Sequence, residues 1–197
     1  MQIIRDFLEA HVKVSNEEWE LLASKIKVHH YKKGDVITYK DNIWTDFIYI
    51  NRGLIRSFII NEKGKDFTRQ FYFNTEESTI AHLFVVDFTS ILTQAPSSRE
   101  FEVLEDSEVL IFSKKTIYDL YGKSSKWEHI GRIISESSYL DMDNYYQSLL
   151  TQSTKERYVH LTKTMSKLIE KVPQYHVASY LGITPVSLSR IKKSLKP

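Results

Sequence analysis

Cysteine is absent from the 197 residues. That absence excludes disulfides, thiolate zinc sites, Cys-ligated iron–sulfur clusters and cysteine nucleophiles together, and it fits a reducing compartment. Glycine is scarce, with six in the chain, and no Gly-rich phosphate-binding loop is formed by them. No apolar run approaches membrane-spanning length. The opening residues, MQIIRDFLEAHVK, alternate charge with hydrophobes where a signal peptide needs a continuous apolar stretch. The expectation is a cytoplasmic protein with no membrane partner. No grouping of nucleophile, base and orienting residue is supported by the spacing, so neither an enzyme nor a cofactor is expected.

What is present is ordinary for a folded chain: 42% hydrophobic and 26% charged residues. The length suits one domain with a small appendage. The net charge of +2 conceals an asymmetry. From Lys155 onward nine basic residues stand against Glu156 and Glu170, whereas the preceding part carries 18 basic and 23 acidic residues. A basic module on an acidic body is the arrangement expected when one end faces a polyanion, although a solvated lysine-rich helix face would give the same count.

Ile4, Phe7, Leu8 and His11 recur at helical spacing, and Ser15 with Glu18 has capping-box spacing before a helix over residues 16–26. From Val28 to Phe112 the texture changes to short runs of Val, Ile, Tyr, Phe and Thr broken by turn residues. Strands are predicted at Asp46–Ile50, Leu54–Ile60, Phe67–Phe73, Phe101–Leu104 and Glu108–Phe112, with Asn51-Arg52-Gly53 and Glu105-Asp106-Ser107 as turns. Hairpins dominate, which implies an antiparallel sheet. Thr116–Tyr121 reads as a short helix and Ser124–Leu150 as one long helix with a broad apolar stripe. Trp127, Ile130, Ile133, Ile134 and Leu140 of that stripe are candidates for a dimer contact. Packing on the β domain and pairing with a second copy are both open, and a strict heptad is broken by Ser137, Asp141 and Asn144. A further helix is predicted from Lys155 to Glu170.

Residues 174–195, QYHVASYLGITPVSLSRIKKSL, carry the most specific signal. Two helices meeting steeply need a small residue at the contact, a residue able to adopt positive φ in the turn, and apolar inner faces. Ala178, Gly182 and the set Val177, Leu181, Ile183, Leu188 and Ile191 meet those needs. Pro185 fits the first turn of the second helix and Thr184 its cap. The outer face then offers Thr184, Val186, Ser187, Ser189, Arg190, Lys193 and Lys196 as candidate DNA contacts. The competing interpretations are a helical hairpin that only packs, and a ligand-binding or protein-interaction module whose C-terminal helices dock a partner without DNA. Seven His raise the question of metal, but adjacent His29 and His30 point to opposite faces of a strand, and no metal site is expected.

In order, these parts resemble the Crp/Fnr family of bacterial transcription regulators. The resemblance rests on KKGDVI at 32–37, FIYINRGLIRSFI at 47–59, FEVLEDSEVLIFSKKTIYDLY at 101–121, and VPQYHVASYLGITPVSLSRIKK near the end. It implies an α+β fold. An antiparallel, jelly-roll-like β-roll of the cyclic-nucleotide-binding type would occupy residues 1–123 with flanking helices, a dimerisation helix 124–150, and a helix-turn-helix domain 151–197. It further implies a homodimer, promoter DNA as partner with Arg190 among the contacts, and a small-molecule effector of unidentified chemistry. Where cyclic-AMP-responsive members carry Arg-Glu at the start of the recognition helix, this sequence has Pro185-Val186. Where nucleotide binders place Gly-Glu and Arg-Ser or Arg-Thr, it has Ile80-Ala81 and Ser97-Ser98, which supply no cation. A register moved by two residues would bring Arg99 forward, followed by Glu100. Loss of the nucleotide site is expected, with the segment Thr75–Ser98 lining a pocket for another effector or packed shut.

Overall fold

The computed structural model describes residues 1–38 and 42–195. Two helices, α1 (Gln2–Glu9) and α2 (Asn16–Ala23), precede the strands. The α2 start has the predicted capping box: Ser15 Oγ accepts from Glu18 N at 3.2 Å, and Ser15 N donates to Glu18 Oε2 at 2.9 Å. The sheet contains β1 (Lys27–Tyr31), β2 (Val36–Thr38), β3 (Asp46–Ile60), β4 (Asp66–Phe73), β5 (Phe84–Val85) and β6 (Glu100–Ser113). All pairings are antiparallel. The order is β1-β6-β3-β4, with β2 also on β6 and β5 on β3. Short helices α3 (Ile80–Leu83) and α4 (Phe88–Thr93) lie between β4 and β6.

Two expected turns are strand interiors. β3 runs unbroken through Asn51-Arg52-Gly53, and β6 through Glu105-Asp106-Ser107, because the two strands keep pairing across them, Arg52 with Glu108 and Leu54 with Glu105. The β3–β6 register shifts between Ile50 and Arg52, Arg52 and Leu54, and Leu54 and Ile55, so the polar residues form bulges in a long bent ladder. Gly53 at φ +108° lies against Ser107, where a Cβ would fall 2.1 Å from Ser107 Oγ. That hydroxyl accepts from Leu54 N at 3.2 Å and donates to Glu105 O at 2.6 Å. Asp106 reaches out of the ladder to accept from Lys33 N at 2.9 Å, tying down the turn between β1 and β2.

The chain continues into α5 (Lys114–Tyr121) and the 27-residue α6 (Ser125–Thr151). Trp127, Ile130 and Ile134 of α6 are buried in the main core with Ile4, Leu8, Leu22 and Leu120, against the sheet residues Phe47 and Phe112. The stripe proposed for dimer contact is therefore corrected for these three: the chain's own β domain covers them. Ile133 is half-buried and Leu140 is 59% exposed. Beyond Ile134, α6 extends past this core. The predicted helix over Lys155–Glu170 is two helices, α7 (Thr154–Thr164) and α8 (Ser166–Lys171), which meet at Met165 with φ −136° and ψ 46°. α9 (Gln174–Tyr180) and α10 (Pro185–Ser194) follow. No helix among the described residues is long and apolar enough to cross a membrane.

Candidate nucleic-acid interface

The α9–α10 corner is built by local chemistry. Gly182 takes φ +74°, its N–H donates to Ser179 O at 3.0 Å, and Ile183 N donates to Ala178 O at 3.0 Å. This is the paired 5→2 and 6→1 bonding that ends a helix at a left-handed glycine. Thr184 then opens α10 by accepting from Ser187 N at 3.2 Å, with Pro185 where no N–H is needed. Val177, Ala178, Leu181 and Leu188 are buried between the helices and join Tyr158, Leu161, Leu168, Ile169 and Val172 in a second core. Truncating a side chain as enclosed as Leu188 costs about 2–5 kcal/mol. The corner is thus held from inside by its apolar residues and at the start of α10 by its cap.

On that face Val186 is 62% exposed, and Ser189, Arg190 and Lys193 are exposed along the same helix. Thr184 is exposed but engaged as the cap, and Ser187, half-buried, shares a 3.0 Å hydrogen bond with it. Lys196 lies outside the described residues. Lys192 turns inward along the corner, donating to Gln174 Oε1 at 2.9 Å.

The basic module also docks on the β domain, which charge counting alone did not indicate. The second core includes Leu54, Phe71, Phe73 and Leu104 from the strands. Ser179 Oγ accepts from Thr68 N at 2.8 Å and donates to Asp66 O at 3.2 Å, so α9 completes the free edge of β4. Glu77 accepts from Ser166 Oγ at 2.9 Å and Lys167 N at 3.2 Å at the start of α8. Lys167 pairs with Glu76, and Lys171 Nζ lies 3.1 Å from Glu105 Oε2. Part of the module's positive charge is therefore directed at the acidic body, and exposed cations remain on α7, at Lys155 and Lys163, and on α10, at Arg190 and Lys193.

At the centre of this docking surface is His176, 1% exposed, with neither ring nitrogen hydrogen-bonded. Burial lowers its pKa to about 4, reinforced by Arg56 and opposed by Glu102 and Asp66. The imidazole is neutral near pH 7, so its 3.7 Å approach to Glu102 Oε2 is not an ion pair there. Arg56 is the charged hub instead, reaching Asp66 Oδ2 and Glu102 Oε2 at 2.6 Å each. His176 looked in sequence like any other polar position of the motif, and nothing local distinguished it.

The expected effector residues are held by different partners. Ala81 is buried in α3, its N–H donating to Ser137 Oγ of α6 at 3.1 Å and its carbonyl accepting from Gln70 Nε2 at 3.0 Å; Ile80 beside it is half-buried. Ser97 is buried and donates to Asp87 Oδ2 at 2.7 Å, while Ser98 is exposed. Arg99 Nε stands 3.8 Å from the other oxygen of the buried Asp87. Serine and arginine thus converge on an internal carboxylate that the sequence reading had not singled out. Arg69 on β4 adds a second cation close to Arg99, and burial with that like charge lowers its pKa.

No family model matches the sequence, and no curated protein matches it. The fold, however, is shared with solved structures. FixK2 from Bradyrhizobium japonicum superposes with a TM-score of 0.72 at 14% identity, covering 86% of this chain and 84% of FixK2. A protein assigned to the transcriptional regulators of the Crp/Fnr family from Eubacterium rectale gives 0.69 at 14% identity, covering 92% and 83% of the two chains. The c-di-GMP responsive global regulator CLP from Xanthomonas campestris gives 0.70 at 14% identity, covering 92% and 91%. The chain has the Crp/Fnr-type fold: an antiparallel β-roll with flanking helices, a long helix and a C-terminal helical domain.

Proposed function

We propose that this chain is a dimeric, sequence-specific DNA-binding transcription regulator of the Crp/Fnr type that no longer responds to cyclic nucleotides. The observation that carries the proposal is α10: a helix fixed by a glycine turn and a buried Leu188, with Val186, Ser189, Arg190 and Lys193 turned to solvent. A guanidinium so placed can meet a guanine edge with two hydrogen bonds, a valine a thymine methyl, and a lysine a phosphate. The regulators that share the fold support the same reading. A mobility shift with genomic fragments tests it, the parent chain against Arg190→Ala/Lys193→Ala. Retarded fragments with the parent and none with the variant are expected. Equal retardation removes α10 from the interface, and no retardation at all favours the partner-docking alternative.

The dimer contact is assigned to the free half of α6. Tyr139, Met142, Tyr146 and Leu149 are 45–60% exposed and spaced 3, 4 and 3 residues apart, the alternation of a coiled-coil seam. Two copies joined there would present two α10 helices to one face of DNA, and a near-palindromic site is the corresponding operator.

Loss of cyclic-nucleotide response is inferred from Asp87. A cyclic phosphate needs the donors of Ser97 and Arg99, and both face a carboxylate already. The phosphate would add a second anion beside the first, at a cost of several kcal/mol.

A further inference from the structure

A cavity of about 460 Å³ lies between the C-terminal half of α6, α7 and the end of α9. Its size is that of a small-molecule site, and it is distinct from the Asp87–Arg99 region of the β domain. One wall carries Asp141, Asn144 and Ser148 of α6, and the other Arg157, His160 and Thr164 of α7. Leu161, Met165 and Leu181 also line it, and a few polar groups on a partly apolar wall suit a small organic molecule that carries a polar head.

Arg157 is incompletely satisfied. Its Nη2 donates to Leu181 O at 3.0 Å and to Thr154 Oγ1 at 3.4 Å, whereas Nε and Nη1 are covered without any hydrogen-bond acceptor. Beside it, the Tyr145 hydroxyl donates to Tyr180 O at 3.0 Å. Arg157 and Tyr145 therefore hold the last carbonyls of α9, immediately before the Gly182 turn. Asp141 supplies the carboxyl in the same lining, 3.9 Å from His82 Nε2 on its other side, and burial raises its pKa.

We propose that this cavity binds a small organic anion, a phosphate or carboxylate bearing hydroxyl or amine donors, with Arg157 receiving the anionic group and Asp141 the donors. An entering anion offers the guanidinium charge-assisted bonds that its neutral neighbours Leu181 O, Thr154 and Tyr145 do not, after a rotation of its outer torsions. Because the same guanidinium holds Leu181 O, occupancy changes what secures the helix-turn-helix corner to α6 and α7. The site thereby couples ligand to the placement of α10.

The test is titration calorimetry on the full chain at constant ionic strength, with ribose 5-phosphate and L-glutamate as probes and ribose as the uncharged control. Saturable binding of at least one anion and none of ribose is expected, and the stronger probe decides between phosphate and carboxylate. Arg157→Gln weakens that binding about tenfold or more, Ser148→Phe abolishes it by filling the cavity from the α6 wall, and Arg99→Gln leaves it unchanged. The proposal is overturned if neither anion binds, if ribose binds equally well, or if Arg99→Gln alone removes binding. Should Arg157→Gln fail to fold, Ser148→Phe decides: parental affinity in that variant refutes the site. No DNA enters the measurement, so its failure is separate from any failure of the DNA-binding proposal.

Discussion

Acid should loosen the docking of the helix-turn-helix on the β domain through one residue. His176 is 1% exposed, faces Arg56, Glu102 and Asp66, and titrates at about 4 in place of its ordinary 6.5. Its folded pKa lies below its unfolded one, so the unfolded chain takes up the proton first as pH falls. The stabilisation is present above pH 6.5 and is lost between pH 6.5 and 4. The two pKa values imply a loss of about 3 kcal/mol between pH 7 and pH 4 from this imidazole alone, a large part of a typical domain's stability. Other groups titrate in the same window, His82 among them, with its pKa lowered by burial to about 4. The informative quantity is therefore the difference between the parent and His176→Leu. Urea unfolding at half-unit steps from pH 7 to pH 4 should show the parent losing about 3 kcal/mol more than the variant. Parallel pH profiles would refute the reasoning and mean that His176 finds a partner when protonated.

Three further outcomes follow from particular contacts. Gly53→Ala places a methyl 2.1 Å from Ser107 Oγ at φ +108° and should destabilise by about 3 kcal/mol or more in chemical denaturation. Ser179→Ala leaves Thr68 N without its acceptor at the β4 edge and should cost about 1–3 kcal/mol, with raised hydrogen exchange at Thr68. The parent chain should sediment as a dimer and Tyr139→Glu/Tyr146→Glu as a monomer, with an unchanged far-UV spectrum, since both side chains are about 60% exposed.

The helix-turn-helix was legible in sequence because its determinants are local. Ala178, Gly182, Thr184 and Pro185 each do within a few residues what their chemistry prescribes, and the same holds for the capping box of Ser15 and Glu18. The β domain was legible in class and misleading in detail. Asn51-Arg52-Gly53 and Glu105-Asp106-Ser107 have turn composition, yet β3 and β6 keep pairing across both, a long-range pairing that no window of sequence contains. The apolar stripe of α6 has one period for two destinations. Trp127, Ile130 and Ile134 face the chain's own core, and Tyr139, Met142, Tyr146 and Leu149 face outward, a division set by where the β domain ends. The break at Met165 carries no Pro or Gly signal. Asp87 and Glu77 became visible only when folding set one against Ser97 and Arg99, and the other against the start of α8.

The central claim is that α10 reads DNA, and it is tested most directly by binding of Arg190→Ala and Lys193→Ala to a selected site and to random DNA across a salt series. The account predicts two different signatures. Arg190→Ala should lose about 1–3 kcal/mol on the selected site, with relaxed preference at one base position. Lys193→Ala should weaken binding to both DNAs alike and lower the slope of log affinity against log salt by about one. If Arg190→Ala binds the selected site as tightly as the parent chain, α10 is not the recognition helix and the proposed interface is wrong.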